Sequence, residues 1–378
     1  MVTIKDLAAR LNVSASTVGR ALADDPRISA SMKQKVNALA GEFGYVANRA
    51  ARMMRGVSSN LVGLIIPDVR NHFYSTIAHA LSKCIEREGL QLTLSETEDD
   101  RTIEHRHVRE LVSANVAGMI IVPTAKPLPE TVKLLKAIPH IQLLREHTLL
   151  GDRVFGMDDA RATDLACRHL YQLGHRRIGY VGPSSELSTG VARLSGFREV
   201  LQVAKSWDVS LEICRSLEAA DEASAILRDL LASPRPPTAL VMGGVQHTHA
   251  MVDACIDLGV TVPRDVSIVG FGDEAGFRWW GAGLTTISLP VSDMATSCGL
   301  WFLHQLRQKG VEMPSFRSIS SPVLVVRGST AELRKPGTTR SKSATPRPWR
   351  KQCPLPYYSP ITPGPMMQLR GRSLSLQD

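Results

Sequence analysis

From Leu61 to about Thr330 the chain alternates short apolar runs with longer amphipathic stretches, and few folds can satisfy that alternation. LVGLII (61–66) opens the series, and further runs follow at 90–94, 117–122, 138–144, 177–182, 238–242, 266–271 and 323–326. Each is too short to cross a bilayer and has the length of a strand buried on both faces. Between them, residues 73–88, 101–114, 159–173, 190–203, 221–232, 247–258 and 291–308 carry apolar side chains at helical period. Strand and helix in turn predict parallel sheets covered by helices. A region of this size favours two such lobes, with a ligand cleft at the carboxyl ends of the strands.

The first 56 residues follow a different pattern. In TIKDLAARLNVSASTVGRAL (3–22), Ile4, Leu7 and Ala8 give one short helix an apolar face, with Thr3 placed to cap it. Asn12-Val13-Ser14 breaks the period, and Ser14 can cap a second helix that turns Val18 and Leu22 inward. Two short helices joined by a tight turn form a helix-turn-helix, whose second helix can enter a major groove with its N-terminal residues foremost. Those residues are Ala15, Ser16 and Thr17, with Arg20 one turn on. Ser29 starts a third helix with Val36, Leu39, Ala40 and Phe43 inside, and Gly44 supplies a stop.

The net charge of +9 is unevenly placed. Residues 1–60 hold nine Lys and Arg against four Asp and Glu, and residues 331–378 hold nine against two, so the middle is slightly acidic. Basic charge at the N-terminus suits phosphate contacts that position a protein on DNA. Cys84, Cys167, Cys214, Cys255, Cys298 and Cys353 lie far apart, with neither paired-thiol nor metal spacing. With no charged-then-apolar export signal, they suggest reduced thiols in a cytoplasmic protein. His105 with His107, and His247 with His249, are i,i+2 pairs, which share a ligand poorly on a helix, so no metal and no cofactor is expected. No Gly-rich phosphate loop or nucleophile elbow points to an enzyme.

TIKDLA, VSASTV with Arg20, GEFGYVANRAARMMRG, LVGLIIPDV, GHRRIGYVG, RLSGF, DVSIVGFGDE, LTTI and VVRGST occur in that order. In these the chain resembles the LacI/GalR family of transcriptional regulators over about residues 2–330. The resemblance implies an N-terminal all-α helix-turn-helix domain (1–46), a hinge helix and linker (47–60), and an α/β periplasmic-binding-protein-like core of two parallel-sheet lobes (61–330). It implies three crossings between lobes, near Asp158, Leu289 and Ser318. Lobe 1 then comprises about 61–158 and 290–318, and lobe 2 about 159–289 and 319–330. Residues 331–378, with eight of the chain's 22 prolines, are expected to form a disordered, basic tail.

The implied function is that of a regulator of carbohydrate catabolism, a repressor in the commoner family behaviour. Its partners would be double-stranded DNA bearing a palindromic operator, a small-molecule effector and a second copy of itself, a homodimer at least. By resemblance Ala15, Ser16 and Arg20 face base edges, while Thr3, Ser14, Thr17, Ser29, Tyr45 and Asn48 match positions that hold phosphates. In the hinge, Met54 matches the side chain that wedges between base pairs. Ala51 gives two hinge helices room to approach, with Arg49, Arg52 and Arg55 beside it. Gly19 departs from the usual Ser, Met32 from a small hydroxyl residue and Ala47 from a frequent proline.

The effector positions depart further. Phe73 and Tyr74 match stacking aromatics, and Arg193 matches the arginine that binds effector hydroxyls or carboxylates. Leu144, Gly244, Val245 and Gly272 stand where Asp, Asn, Asp and Asp are common, leaving Asp273. Arg145, His247, His249, Arg278, Trp279 and Trp280 are nearby candidates. Loss of carboxylates with retention of arginine favours an anionic effector, a sugar acid or other small organic acid, over a neutral sugar. A solute-binding protein of a transporter would account for residues 61–330. It needs an export signal, however, and leaves residues 1–56 without a use.

Overall fold

The computed structural model describes residues 2–22, 24–45, 59–203, 220–308 and 313–333. The hinge positions Asn48, Arg49, Ala51, Arg52 and Met54, and the tail from Arg334 onward, lie outside the described residues.

Helices α1 (Ile4–Leu11), α2 (Ala15–Leu22) and α3 (Ala30–Glu42) enclose Leu7, Val18 and Val36, all fully buried, with Ala8, Ala21 and Ala40 around them. Local chemistry sets each boundary. Thr3 and Asp6 form a reciprocal capping box at the start of α1. Asn12 ends that helix in the left-handed conformation, which a short polar side chain tolerates. Ser14 Oγ accepts from Thr17 N at 3.0 Å, and Ser29 Oγ accepts from Met32 N at 3.4 Å. Lys33 ties the turn between α2 and α3 by donating to the Asp24 backbone oxygen.

In the core, the first lobe runs β1 (Leu61–Ile66), α4 (His72–Glu86), β2 (Gln91–Glu96), α5 (Arg101–Ser113), β3 (Gly118–Ile121), α6 (Pro129–Lys136), β4 (His140–Leu143) and β5 (Arg153–Met157). The second runs α7 (Asp159–Gln172), β6 (Ile178–Val181), α8 (Ser188–Val203), α9 (Ala220–Ala232), β7 (Ala239–Met242), α10 (Val245–Asp257), β8 (Ser267–Phe271) and β9 (Thr285–Ser288). Then α11 (Val291–Arg307) packs on α4, β10 (Phe316–Ser320) joins the first sheet and β11 (Val323–Val325) the second.

The first sheet has strand order β10-β5-β4-β3-β1-β2, parallel throughout. The second has order β11-β9-β8-β7-β6, parallel except for β11. All six residues of β1 are buried, the consequence of helices on both faces. Two expectations need correction. Ser318 lies inside β10, paired with Phe155, so the third crossing, expected near Ser318, comes just after Ser320 and the bound of the first lobe moves there from 318. The tail does not begin at Ala331. Leu333 N donates to Leu173 O, and Ala331 O accepts at 3.0 Å from His175, so residues 331–333 are tied to the second lobe.

Candidate nucleic-acid interface and effector cleft

The N-terminal domain presents α2 with its polar side outward. Ser16 and Arg20 are exposed on consecutive turns, and Arg20 Nη2 donates to Ser16 Oγ at 2.9 Å. This bond holds the guanidinium along the helix and leaves further N–H groups for an acceptor. Thr17 is half-buried, with its hydroxyl 2.8 Å from that of exposed Ser14. Ala15 is half-buried against the domain core, so only part of its surface can meet a thymine methyl. Ser29 and Thr3 are exposed caps of the flanking helices, and Tyr45 packs on the core with its N–H bonded to Ala40 O.

Between the lobes the carboxyl ends of the strands border a cavity of about 100 Å³. Five of the seven predicted effector residues line it: Phe73, Tyr74, Arg145, Arg193 and His247. Phe73 and Tyr74 open α4, where Asn71 Oδ1 accepts from Phe73 N, and their rings meet edge to face at 5.9 Å. Arg145 follows Leu144, whose φ of 64° is a strained conformation for a leucine and turns the chain out of β4. The Arg145 guanidinium is 9% exposed and forks onto both oxygens of Asp99. Burial disfavours its charge, but Tyr74 and Asp99 beside it outweigh that and raise its pKa. Burial raises the Tyr74 phenol, keeping it neutral.

Arg193 projects from α8, donating to Asp159 Oδ1 at 2.6 Å and to Gly243 O at 2.7 Å. Its guanidinium lies 4.1 Å from the centre of the Phe271 ring. Burial pushes the Asp159 carboxyl up and Arg193 offsets part of that, holding it as an ion pair. Each arginine in the cleft therefore arrives with a carboxylate of its own. Asp99 and Asp159 were not anticipated from sequence. A trace existed in the acid runs Glu98-Asp99-Asp100 and Asp158-Asp159, where Asp100 and Asp158 cap helices and the aspartate beside each is left over.

The other two predicted residues lie elsewhere. Asp273 lines a neighbouring cavity of about 270 Å³, which shares Phe73 and Val245 with the first. Burial raises the Asp273 carboxyl, but Arg327 and the Thr286 hydroxyl outweigh this and lower it, so its charge is already met. Trp279 is a correction: it is 79% exposed beyond the short turn Ala275–Arg278 and lines neither cavity. His249 pairs with Glu274 at 2.9 Å beside the cleft. Gly272 has a φ of +81°, and a Cβ there would sit 2.6 Å from Val245 Cγ2. An aspartate at that position is therefore incompatible with valine at 245, and the two departures from the family pattern belong together.

No helix among the described residues is long and apolar enough to cross a membrane. A protein-family model for bacterial regulatory proteins of the lacI family matches residues 3–48, and one for a periplasmic binding protein-like domain matches residues 167–330. Over 335 residues the chain is 27% identical to the HTH-type transcriptional regulator GalR of Escherichia coli K12, covering 88% of this chain and 96% of that protein. With the HTH-type transcriptional regulator DegA of Bacillus subtilis the identity is 29% over 342 residues, covering 88% and 98%. The crystal structure of the lac repressor dimer bound to operator and the anti-inducer ONPF has the same fold, with a TM-score of 0.73 at 22% identity, covering 87% of this chain and 99% of that one. Matched in order on a three-helix head and a two-lobe core, the two models give this chain a lacI-family helix-turn-helix region followed by a periplasmic binding protein-like domain, the arrangement of the LacI-family regulators it is similar to.

Proposed function

We propose that this protein is a repressor that binds a palindromic operator as a homodimer and changes its grip when a small organic acid occupies the cleft. The exposed Ser16–Arg20 pair on α2 supports the DNA-reading role. Arginine is the side chain best shaped to donate two bonds to guanine. Thr3, Ser14, Thr17, Ser29, Tyr45 and Asn48 would hold phosphates. The hinge, with Arg49, Ala51, Arg52 and Met54, would enter the minor groove. Effector closure would shift one lobe against the other in each subunit, changing the spacing of the two heads. Coupling of this kind typically carries about 1–3 kcal/mol.

The single observation that carries the effector class is the composition of the 100 Å³ cavity. Two arginines and an imidazole line it beside Asn71, Asp159, Thr189 and Gln246, with the Asp159 carboxylate already engaged by Arg193, while Leu144, Gly244 and Val245 stand where the family commonly carries carboxylate or amide groups. Arginine recognises a carboxylate through parallel N–H bonds, whereas a neutral sugar needs acceptors for its hydroxyls. Calorimetry of the purified protein against gluconate, galacturonate and their neutral parent sugars tests the assignment. Binding of an acid is the expected result. Tight binding of a neutral sugar with none of the acids would refute it.

A further inference from the structure

Building on the acid-effector reading, we propose that His247 supplies the positive charge that neutralises the effector. An anion entering the cavity draws one proton from solvent onto this imidazole, so effector capture is linked to pH.

The inference starts from geometry. His247 sits in the first turn of α10, lines the cavity and is 7% exposed. Its Nε2 is buried with no hydrogen-bond partner. On the other side of the ring, a Cβ at Gly244 would lie 2.8 Å from Nδ1. Any larger residue at 244 would crowd the imidazole, so the glycine and the histidine form one arrangement. A buried ring nitrogen left unsatisfied is costly, and an acceptor brought against the ring as the lobes close on a ligand would recover that cost.

Charge balance gives that nitrogen its role. The charged and titratable groups in and around the cavity come from several elements, and Arg193 is the one that acts on the ring through its charge. Arg193 on α8 is held by Asp159 on α7, and Arg145 after β4 is held by Asp99. Tyr74 on α4 is kept neutral by burial. Asp273 after β8 is held by Arg327, and Glu274 lies 2.9 Å from the His249 ring. Glu104, in contact with the Asp99–Arg145 pair through its charge, is fully buried, and burial raises its carboxyl. Each of these arginines therefore has its anion before any ligand arrives. A carboxylate added to this balanced, poorly solvated cavity leaves one negative charge unmet.

Burial, and secondarily Arg193, lower the His247 pKa to about 4, so the empty site carries a neutral ring at physiological pH. A ligand carboxylate opposes both causes: it accepts from Nε2–H and cancels the field of Arg193. The proton moves from solvent to Nε2, and the ligand keeps its own charge. Affinity is then greatest at low pH, and falls as pH rises from about 4 through the raised pKa of the bound state, by up to about tenfold per pH unit.

The test titrates the full-length protein calorimetrically with D-gluconate, D-galacturonate and D-glycerate, and with D-glucose and D-galactose as neutral probes. It is run at about pH 5.5 and pH 7.5, in two buffers of different ionisation enthalpy. The expected result is uptake of close to one proton per subunit at the lower pH for a bound acid, and none for a neutral sugar. His247→Gln, whose amide still donates, should bind the acid with almost no proton uptake. In the wild type, the imidazole resonances of residue 247 should move to their protonated positions when acid is added, a readout independent of how the variant folds. Acid binding with equal heats in both buffers, or uptake unchanged in His247→Gln, overturns this inference and leaves the acid effector standing. Binding of neutral sugars only, or of none of the five probes, overturns both.

Discussion

Arg20 carries more of the account than any other side chain in the head, because it is the exposed group on α2 able to donate two bonds to one base. Arg20→Ala should weaken binding to the selected operator by roughly 1–3 kcal/mol and relax preference at one base pair per half-site. Binding measured on a panel of single-base operator variants checks this. A uniform loss across the panel would make Arg20 a phosphate contact. In the core, Glu104 is a carboxyl with a cost attached. Its Oε2 accepts from Thr124 N at 2.7 Å, while Oε1 is buried without a partner. Burial raises its pKa above 4.5, so the folded state holds the proton more tightly than the unfolded chain. The stability this contributes is present below about pH 4.5 and is lost as pH rises through the folded value. Glu104→Gln keeps the acceptor and removes the charge. Its melting temperature should therefore exceed that of the wild type at pH 7.5, on the order of 2 °C, with the difference vanishing near pH 4. A lower melting temperature at pH 7.5 would mean that the ionised carboxylate is needed.

Among the elements, continuous apolar runs were legible as strands, the edge strands β2, β6 and β11 included, and short strands broken by polar residues or glycine were not. LVGLII and the run 117–122 could be placed because two covered faces demand apolar residues without interruption. RVFGM, TTIS and FRSIS were not placed from periodicity. They are short, and β10 has a half-exposed pattern at the sheet edge, paired only with β5. The helix Pro129–Lys136 was also missed, since its eight residues give the period little room to show. The cleft was legible in part. Tyr74, Arg145, Arg193 and His247 were found by residue type and position, whereas Asp99 and Asp159 were not, because pairing is a property of space rather than spacing. Trp279 misled because aromatic content says nothing about the direction a turn faces. Motif glycines have a similar spatial cause. A Cβ at Gly196 in α8 would lie 2.1 Å from the Ala160 backbone oxygen in α7, so these helices touch through their main chains. Gly196→Ala should destabilise the core by about 1–3 kcal/mol and shift Arg193 from Asp159. Urea denaturation checks the first effect, and loss of acid binding in the still-folded fraction checks the second. Unchanged stability would show that α7 and α8 separate easily.

In the whole molecule, three crossings of the chain join the two lobes. The chain enters the first sheet at β1, crosses after β5, returns after β9 to lay α11 against α4, and crosses once more between β10 and β11. A ligand seated against Arg145 from one lobe and Arg193 and His247 from the other touches both sides of these crossings. The proposed closure would have a physical cause here, since neither lobe alone supplies all three groups. The N-terminal head is basic where the core is slightly acidic, and is the part on which the proposed closure would act. The most direct test is selection of bound sequences from a random pool of DNA duplexes with the full-length protein, with affinity for the winner remeasured with and without the acid that binds the cleft. The account predicts a two-fold symmetric sequence with half-sites about one duplex turn apart, and an affinity that changes by about 5- to 150-fold with effector. A purified dimer that enriches no sequence at low salt would contradict it, as would one that binds its site identically with the cleft filled and empty.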